Sequence, residues 1–139
     1  MDVELVARPA RLRRPAARVI LLDTNAVIWI DGNHKRTRAL LKQGGPFCVS
    51  PATLLELQFL DELGRIRLRA GLTAIVDDPR WEIDEPPVID WFTAAAGQSW
   101  THDPFDRLIA AHAIVRRWRL ASADEAVLEH LRPSERLLL

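Results

Sequence analysis

One cysteine, one methionine, two lysines and no tyrosine are all that the 139-residue sequence holds of these four types. Cys48, standing alone, excludes an internal disulfide, is expected as a small buried hydrophobe and suits a reducing compartment. No apolar run approaches the roughly 18 residues that suggest a membrane span, because Asp23 and Asn25 interrupt the best candidate. Arg13-Arg14 is followed by only four apolar residues, Val19 to Leu22, before Asp23, too few for an export signal, and a cytoplasmic chain is expected. An excess of one charge is missing too: 19 basic residues face 19 acidic ones, so no global field selects nucleic acid or membrane. The balance is uneven along the chain, with 12 basic and 7 acidic residues in 1–70 and 7 and 12 in the remainder, which lets a basic strip face an anion while acids gather elsewhere. The length and 48% hydrophobic content suit one globular domain, expected over residues 18–139. An arginine-rich arm over residues 1–17, with neither helical nor strand periodicity, precedes it.

What is present is a succession of short strands and helices. Val19 to Leu22 reads as a strand buried on both faces that ends at Asp23, where a helix begins. A short basic helix over His34 to Lys42 stops at Gly44-Gly45, and Phe47 to Val49 forms a second strand. Ser50 then caps a helix whose first residue is Pro51. Further helices are expected at Leu72 to Val76, at Pro87 to Ala96, and from Pro104 onward behind the cap Asp103. Trp81 to Ile83 and the "RLAS" run ending at Ser122 read as strands. Asp124 caps a last helix, and the final "RLLL" suits an edge strand. Strands alternating with helices predict an α/β fold, three layers deep, with a mainly parallel sheet covered on both faces.

The helix from Pro51 to Leu63 carries the most information. At 100° per residue, Ala52, Leu55, Phe59, Leu60 and Leu63 make one apolar arc, while Gln58, Asp61 and Glu62 fall opposite. Glu56 lies in the centre of the arc, which marks it as a buried acid.

In a parallel sheet, sites form outside the carboxyl ends of the strands. Asp23 and Asp124 sit there, Glu56 points inward from a neighbouring helix, and Asp103 and Asp106 occupy the first turn of the helix before the Asp124 strand. Charged pairs at ~4 Å repel by about 4 kcal/mol at an effective dielectric near 20. Either their pKa values rise or cations neutralise them. Oxygen ligands without a clustered His or Cys set favour Mg2+ or Mn2+ over Zn2+. Such ions suit phosphodiester hydrolysis. Thr24, Asn25 and Ser122 are placed to orient the carboxylates or a ligand water through hydrogen bonds.

From Val19 to about Leu131 the chain resembles the PIN-domain ribonucleases, in particular the VapC-type toxins of bacterial toxin–antitoxin pairs. The resemblance is carried by "LLDTNAVIWI", "SPATLLEL" with Glu56, "HDPFDRLIAAHA" with Asp106 and "LASAD" with Asp124. It implies Asp23, Glu56, Asp106 and Asp124 as the acidic, catalytic metal-binding set. It also implies an RNA substrate, dependence on a divalent metal and inhibition by a small antitoxin protein. A homo-oligomer is the expected assembly. Ser122 stands where the family often has threonine and keeps the hydroxyl.

Competing readings remain at each position. Asp23, Asp103 and Asp124 also serve as helix caps, Asp106 as complement to a helix dipole, and Glu56 as partner of an arginine such as Arg107. Arg107, beside Asp106, is otherwise expected to touch substrate phosphate. His102 and His112 receive no catalytic role, and the five tryptophans read as core or interface anchors. A strand-end-aspartate phosphatase would want another acid at Asn25. A phosphotransfer receiver would want a late lysine, whereas Lys35 and Lys42 both come early. A catalytically silent PIN-like interaction module is the third class, and metal-dependent RNA cleavage separates it from the enzyme.

Overall fold

Val19 to Leu22 alternates between two separate apolar cores, and the whole architecture follows from that. The computed structural model describes residues 18–139; the expected arm over 1–17 lies outside them. Five short strands, β1 (Ile20–Leu22), β2 (Phe47–Val49), β3 (Glu82–Ile83), β4 (Arg119–Ser122) and β5 (Arg136–Leu138), form one sheet in the order β3-β2-β1-β4-β5. Every neighbouring pair is parallel. Seven helices connect them among the described residues: α1 (Thr24–Asp31), α2 (Arg38–Gln43), α3 (Pro51–Glu62), α4 (Gly71–Val76), α5 (Val88–Ala96), α6 (Pro104–Arg116) and α7 (Glu125–Leu128). None is long and apolar enough to cross a membrane.

The period of two along β1 sorts the layers. Val19 and Leu21 enter a core shared with Trp91 and Ala95 of α5, Ile109 and Ala113 of α6 and Val127 of α7. Ile20 and Leu22 enter the other, with Val27 and Ile30 of α1, Leu40 of α2, Leu57 of α3 and Ile75 of α4. Helix α3 belongs to both, through Ala52 on one side and Leu57 on the other. The result is the expected three-layer α/β/α arrangement.

Local chemistry makes the turns abrupt. After β1 and β2 a single residue, Asp23 or Ser50, ends the strand and caps the next helix: Asp23 Oδ1 accepts the Ala26 N–H at 2.7 Å, and Ser50 Oγ accepts that of Ala52 at 3.2 Å. The basic helix expected over His34 to Lys42 is divided into a 3-10 turn, Lys35–Thr37, followed by α2. His34 causes the break, accepting the Arg36 N–H on Nδ1 and the Thr37 hydroxyl on its carbonyl oxygen. Trp81 precedes β3, with its buried indole N–H donating to the Ile75 carbonyl at 2.7 Å.

The short β3 edge is tied down by a charged clip absent from the sequence expectations. Asp84 accepts hydrogen bonds from His112 Nε2 at 2.7 Å and from Arg116 Nε and Nη2 at 2.9 and 3.1 Å. Burial pushes the Asp84 carboxyl up, but these bonds outweigh it and hold it below the usual range. Burial pushes fully enclosed His112 down, so it is the neutral ring that donates. Asp84→Ala strands these donors and should cost about 2–4 kcal/mol in denaturant unfolding. The deficit should be complete above about pH 4 and vanish as acid protonates Asp84 in the unaltered chain. An equal deficit at all pH values would reduce the clip to packing.

Candidate active site

Four elements meet at the carboxyl end of the sheet, in a cleft of about 230 Å³ lined by Asp23, Thr24, Asn25, Glu56, Asp106 and Asp124, with Leu60 and Ile109 among its apolar walls. The four acids expected together from the sequence are therefore brought together. A larger groove of about 700 Å³ between α1 and α4 contains Asp31 and Asp78. Both of those acids face Arg80, at 3.6 and 2.7 Å, so volume alone does not choose the site.

Each cleft acid is fixed by its own neighbours. Asp23 is held by the Ala26 N–H and by the Ser122 hydroxyl, whose Oγ also accepts the Asp124 N–H at 3.0 Å. Asp124 caps α7, with Oδ1 accepting from Ala126 and Val127 at 3.0 and 3.4 Å. Asp103 caps α6 in the same way, accepting from Phe105 and Asp106 at 2.8 and 3.2 Å, which sets Asp106 in the first turn. Glu56 accepts a short hydrogen bond from the Thr24 hydroxyl, and Thr24 in turn lies 3.4 Å from the hydroxyl of fully buried Thr53. Sequence reasoning missed Thr53. The available signal was its position one helical turn before Glu56, on the same face.

Two expectations need correction. Periodicity puts Glu56 in a buried apolar arc, yet Leu55, Phe59 and Leu63 of that arc are 52, 45 and 67% exposed; Ala52 of the arc is buried, together with Thr53 and Leu57 from outside it. Glu56 sits at the border between the faces, where its carboxyl reaches both the cleft and the Thr24 hydroxyl. Arg107 is not turned into the cleft: its Nε donates to the Thr101 carbonyl at 2.7 Å and its Nη1 to that of Ala96 at 3.3 Å. These bonds hold the guanidinium toward the Ala96 and Thr101 carbonyls, and Arg107 is not among the residues that line the cleft.

The electrostatics follow from partial burial of like charges. Burial pushes the Asp23 carboxyl up to about 6 against its hydrogen bonds from Ser122 and Ala26, and the charges of Asp106 and Asp124 add to the rise. Asp106 is also raised to about 6, first by burial and then by Asp103, Glu56 and Asp124. Burial raises Glu56 as well, opposed by the Thr24 hydrogen bond and assisted by Asp103 and Asp23. Among the described residues, no three His, Cys, Asp or Glu side chains are already gathered as a ligand cluster, so the acids line one cleft without closing on a common point.

An all-parallel three-layer α/β domain with capping acids massed over its central strands defines the class. The PIN domain family model matches residues 20–132, most of the chain, and the chain belongs to that family. Ribonuclease VapC22 of Mycobacterium tuberculosis (strain ATCC 25618 / H37Rv) is 28% identical over 122 residues, covering 82% of this chain and 93% of the relative. Among solved structures, a toxin–antitoxin complex from Klebsiella pneumoniae matches with a TM-score of 0.64 at 16% identity, over 85% of this chain and 95% of the other. DNA-bound VapBC from Salmonella typhimurium gives 0.59 at 24% identity, with the same coverage. At these identities the two structures speak for the fold.

Raised carboxyls mean that the folded chain binds more protons than the unfolded one between pH 4 and 6, so stability is greatest at the acid side of that window and falls as the pH rises through about 6. In chelator, unfolding free energy should drop by about 1–3 kcal/mol from about pH 5 to pH 7.5. Asp23→Asn keeps a capping oxygen while removing the charge, and should reduce the drop and gain stability at the higher pH. A variant less stable than the parent there would show Asp23 ionised and paired instead.

Proposed function

We propose that the chain is an endoribonuclease that hydrolyses RNA phosphodiester bonds with Mg2+ or Mn2+, and that it is the toxin of a toxin–antitoxin pair. The observation that carries this reading is the approach of Asp23, Glu56, Asp106 and Asp124 to one cleft, with two of them raised to about 6. The likeness to a VapC ribonuclease and to toxin–antitoxin complexes supports the choice of RNA as substrate and of a small antitoxin as partner. Exposed apolar residues such as Phe59 and Ile89 support association with a further chain, including a second copy. An RNA substrate puts the place of action in the cytoplasm.

The residues fit a hard divalent cation. All the donors are carboxylate oxygens and they repel one another when ionised, which suits Mg2+ or Mn2+, ions that favour oxygen ligands and keep several waters. Zinc suits the site poorly, because the buried His112 is committed to Asp84. Asp23, Glu56, Asp106 and Asp124 would hold the ion. When bound, it supplies positive charge that acidifies water and stabilises the charge developing on the phosphate.

The chain's own groups do the rest. Thr24 orients Glu56, and the Ser122 hydroxyl orients Asp23. Asp124 gives Oδ1 to the α7 amides, which leaves Oδ2 for the cleft. The first turns of α1, α6 and α7 all open at this end of the sheet, and their dipoles favour an incoming phosphate over the bare acids. Asn25, exposed on the cleft wall, is placed to meet the substrate or a ligand water.

One observation favours a second reading, a catalytically silent module: the acids are not yet gathered at ligand distances. Incubating the purified chain with varied RNAs, with and without Mg2+ or Mn2+, decides between the two. Cleavage should require metal, and metal should raise the melting temperature. Asp23→Asn and Glu56→Gln should each lose at least about a hundredfold in rate, and Thr24→Val about 10–100-fold, since it removes only the orienting hydroxyl. In chelator Glu56→Gln should unfold no more easily than the parent. No cleavage of any RNA together with an unmoved melting temperature would establish the silent module.

A further inference from the structure

The end of the sheet opposite the acid cleft is basic. Arg119 begins β4, Arg117 ends α6 just before it, and Arg132 lies in the connection from α7 to β5. Together with His130, Ser134 and Glu135 they line an open concavity of about 890 Å³. Three guanidinium groups therefore face a single carboxylate. That carboxylate is already committed to its own turn, since Glu135 Oε1 accepts the Arg132 backbone N–H at 3.3 Å and stands 3.8 Å from the Nε of Arg132, a side chain 86% exposed. Arg18, exposed and two residues before Ile20, is at the same sheet end, because Ile20 is the register partner of Arg119.

Two features are not explained by folding. Arg119 Nε is buried and, among the described residues, has no acceptor, an arrangement that costs stability unless something else supplies one. Arg117 sits at φ 57° and ψ 37°, the left-handed position at a helix C-terminus that glycine fills most easily. An arginine is thus kept where the backbone prefers to have no side chain. Beside them the His130 ring stacks on Trp100, with centroids 4.4 Å apart and planes 9° from parallel, and His130 is exposed. Cations around a shallow hollow with an accessible flat ring are what a single-stranded nucleic acid recognises, phosphates on the guanidiniums and a base on the ring. An acidic peptide would use the arginines but not the ring.

We infer that this concavity is a second, non-catalytic RNA-binding site, which grips backbone phosphates of the substrate away from the cleavage point. The inference rests on the ribonuclease reading and extends it. Asp106 and Arg117 lie at opposite ends of α6, roughly 16 Å apart along its axis, so one RNA strand of several nucleotides reaches both ends of the domain. The carboxylate end repels bare backbone, and the basic end supplies the electrostatic attraction that a neutral chain otherwise lacks.

The test uses the full chain, fluorescence anisotropy in chelator with a single-stranded RNA of about a dozen nucleotides, and cleavage of the same RNA in Mg2+. Arg117→Gly relaxes the backbone, so it should melt no lower than the parent while binding RNA more weakly. Combined with Arg119→Ala it should lower affinity about tenfold and reduce the slope of log affinity against log salt by about 0.7 for each phosphate that is no longer neutralised. In cleavage the effect should fall on KM and spare kcat. Unchanged affinity and salt slope in variants of a chain that still cleaves RNA would overturn this inference and leave the ribonuclease reading intact. So would protection of the parent alone by inorganic phosphate with equal RNA affinity, which would make the hollow a small-anion site. Loss of antitoxin binding without loss of RNA binding would likewise overturn it, in favour of a protein interface. A parent chain that neither binds nor cleaves RNA would remove both readings together.

Discussion

β1 has no face to spare. Its three residues are at most 1% exposed, with Ile20 and Leu22 in one core and Leu21 in the other, and its two edges are occupied by β2 and β4. A strand enclosed on all four sides forces the next residue out over the sheet's end, and that residue is Asp23. Its burial, and the partial burial of Glu56 on α3 and Asp106 on α6 beside it, follows from the packing below. The raised carboxyls are thus a property of where the sheet ends as much as of the residues themselves.

The same side chains also serve the backbone. Asp23, Asp103 and Asp124 each satisfy amide groups that a helix start would otherwise leave without partners. The cleft is consequently rigid where its chemistry needs rigidity, because releasing one of these carboxylates would also release a helix. Asp106 and Glu56 cap nothing: Asp106 lies in the first turn of α6 behind its cap Asp103, and Glu56 lies in the interior of α3 and depends on a hydroxyl from α1 for its place. The Thr24–Thr53 pair brings that hydroxyl to it, two small polar groups buried where two helices cross.

Much of this is legible in the residues. Pro51 and Pro104 after their caps, the β-branched and aliphatic runs, and the strand-end aspartates mark elements that the structure contains within one or two residues. What hydrophobicity does not reveal is which side of α3 is inward. Leu55, Phe59 and Leu63 look like a core stripe by periodicity alone, but they are exposed, because the inward face uses Thr53 and the cleft border uses Glu56. Periodicity thus points to the right acid by way of the wrong face. The Asp84–His112–Arg116 clip is invisible for a different reason: its members are 28 to 32 residues apart, and no local pattern announces a pairing across an edge strand. Arg107 illustrates the reverse case, a cation beside a cleft acid in sequence whose length lets it reach the carbonyls of Ala96 at the end of α5 and of Thr101 in the loop that follows.

The sheet order carries a consequence for the timing of synthesis. The central strand finds one neighbour early, when Phe47 pairs with Ile20, but the other only when Arg119 to Ala121 arrive, nearly a hundred residues later. Asp124 follows them. A nascent chain therefore carries Asp23 and Glu56 through that interval without the strand that closes the core beneath them or the last acid of the cleft. Whatever this cleft does, its chemistry cannot be assembled until the 100 residues between Asp23 and Asp124 have been made.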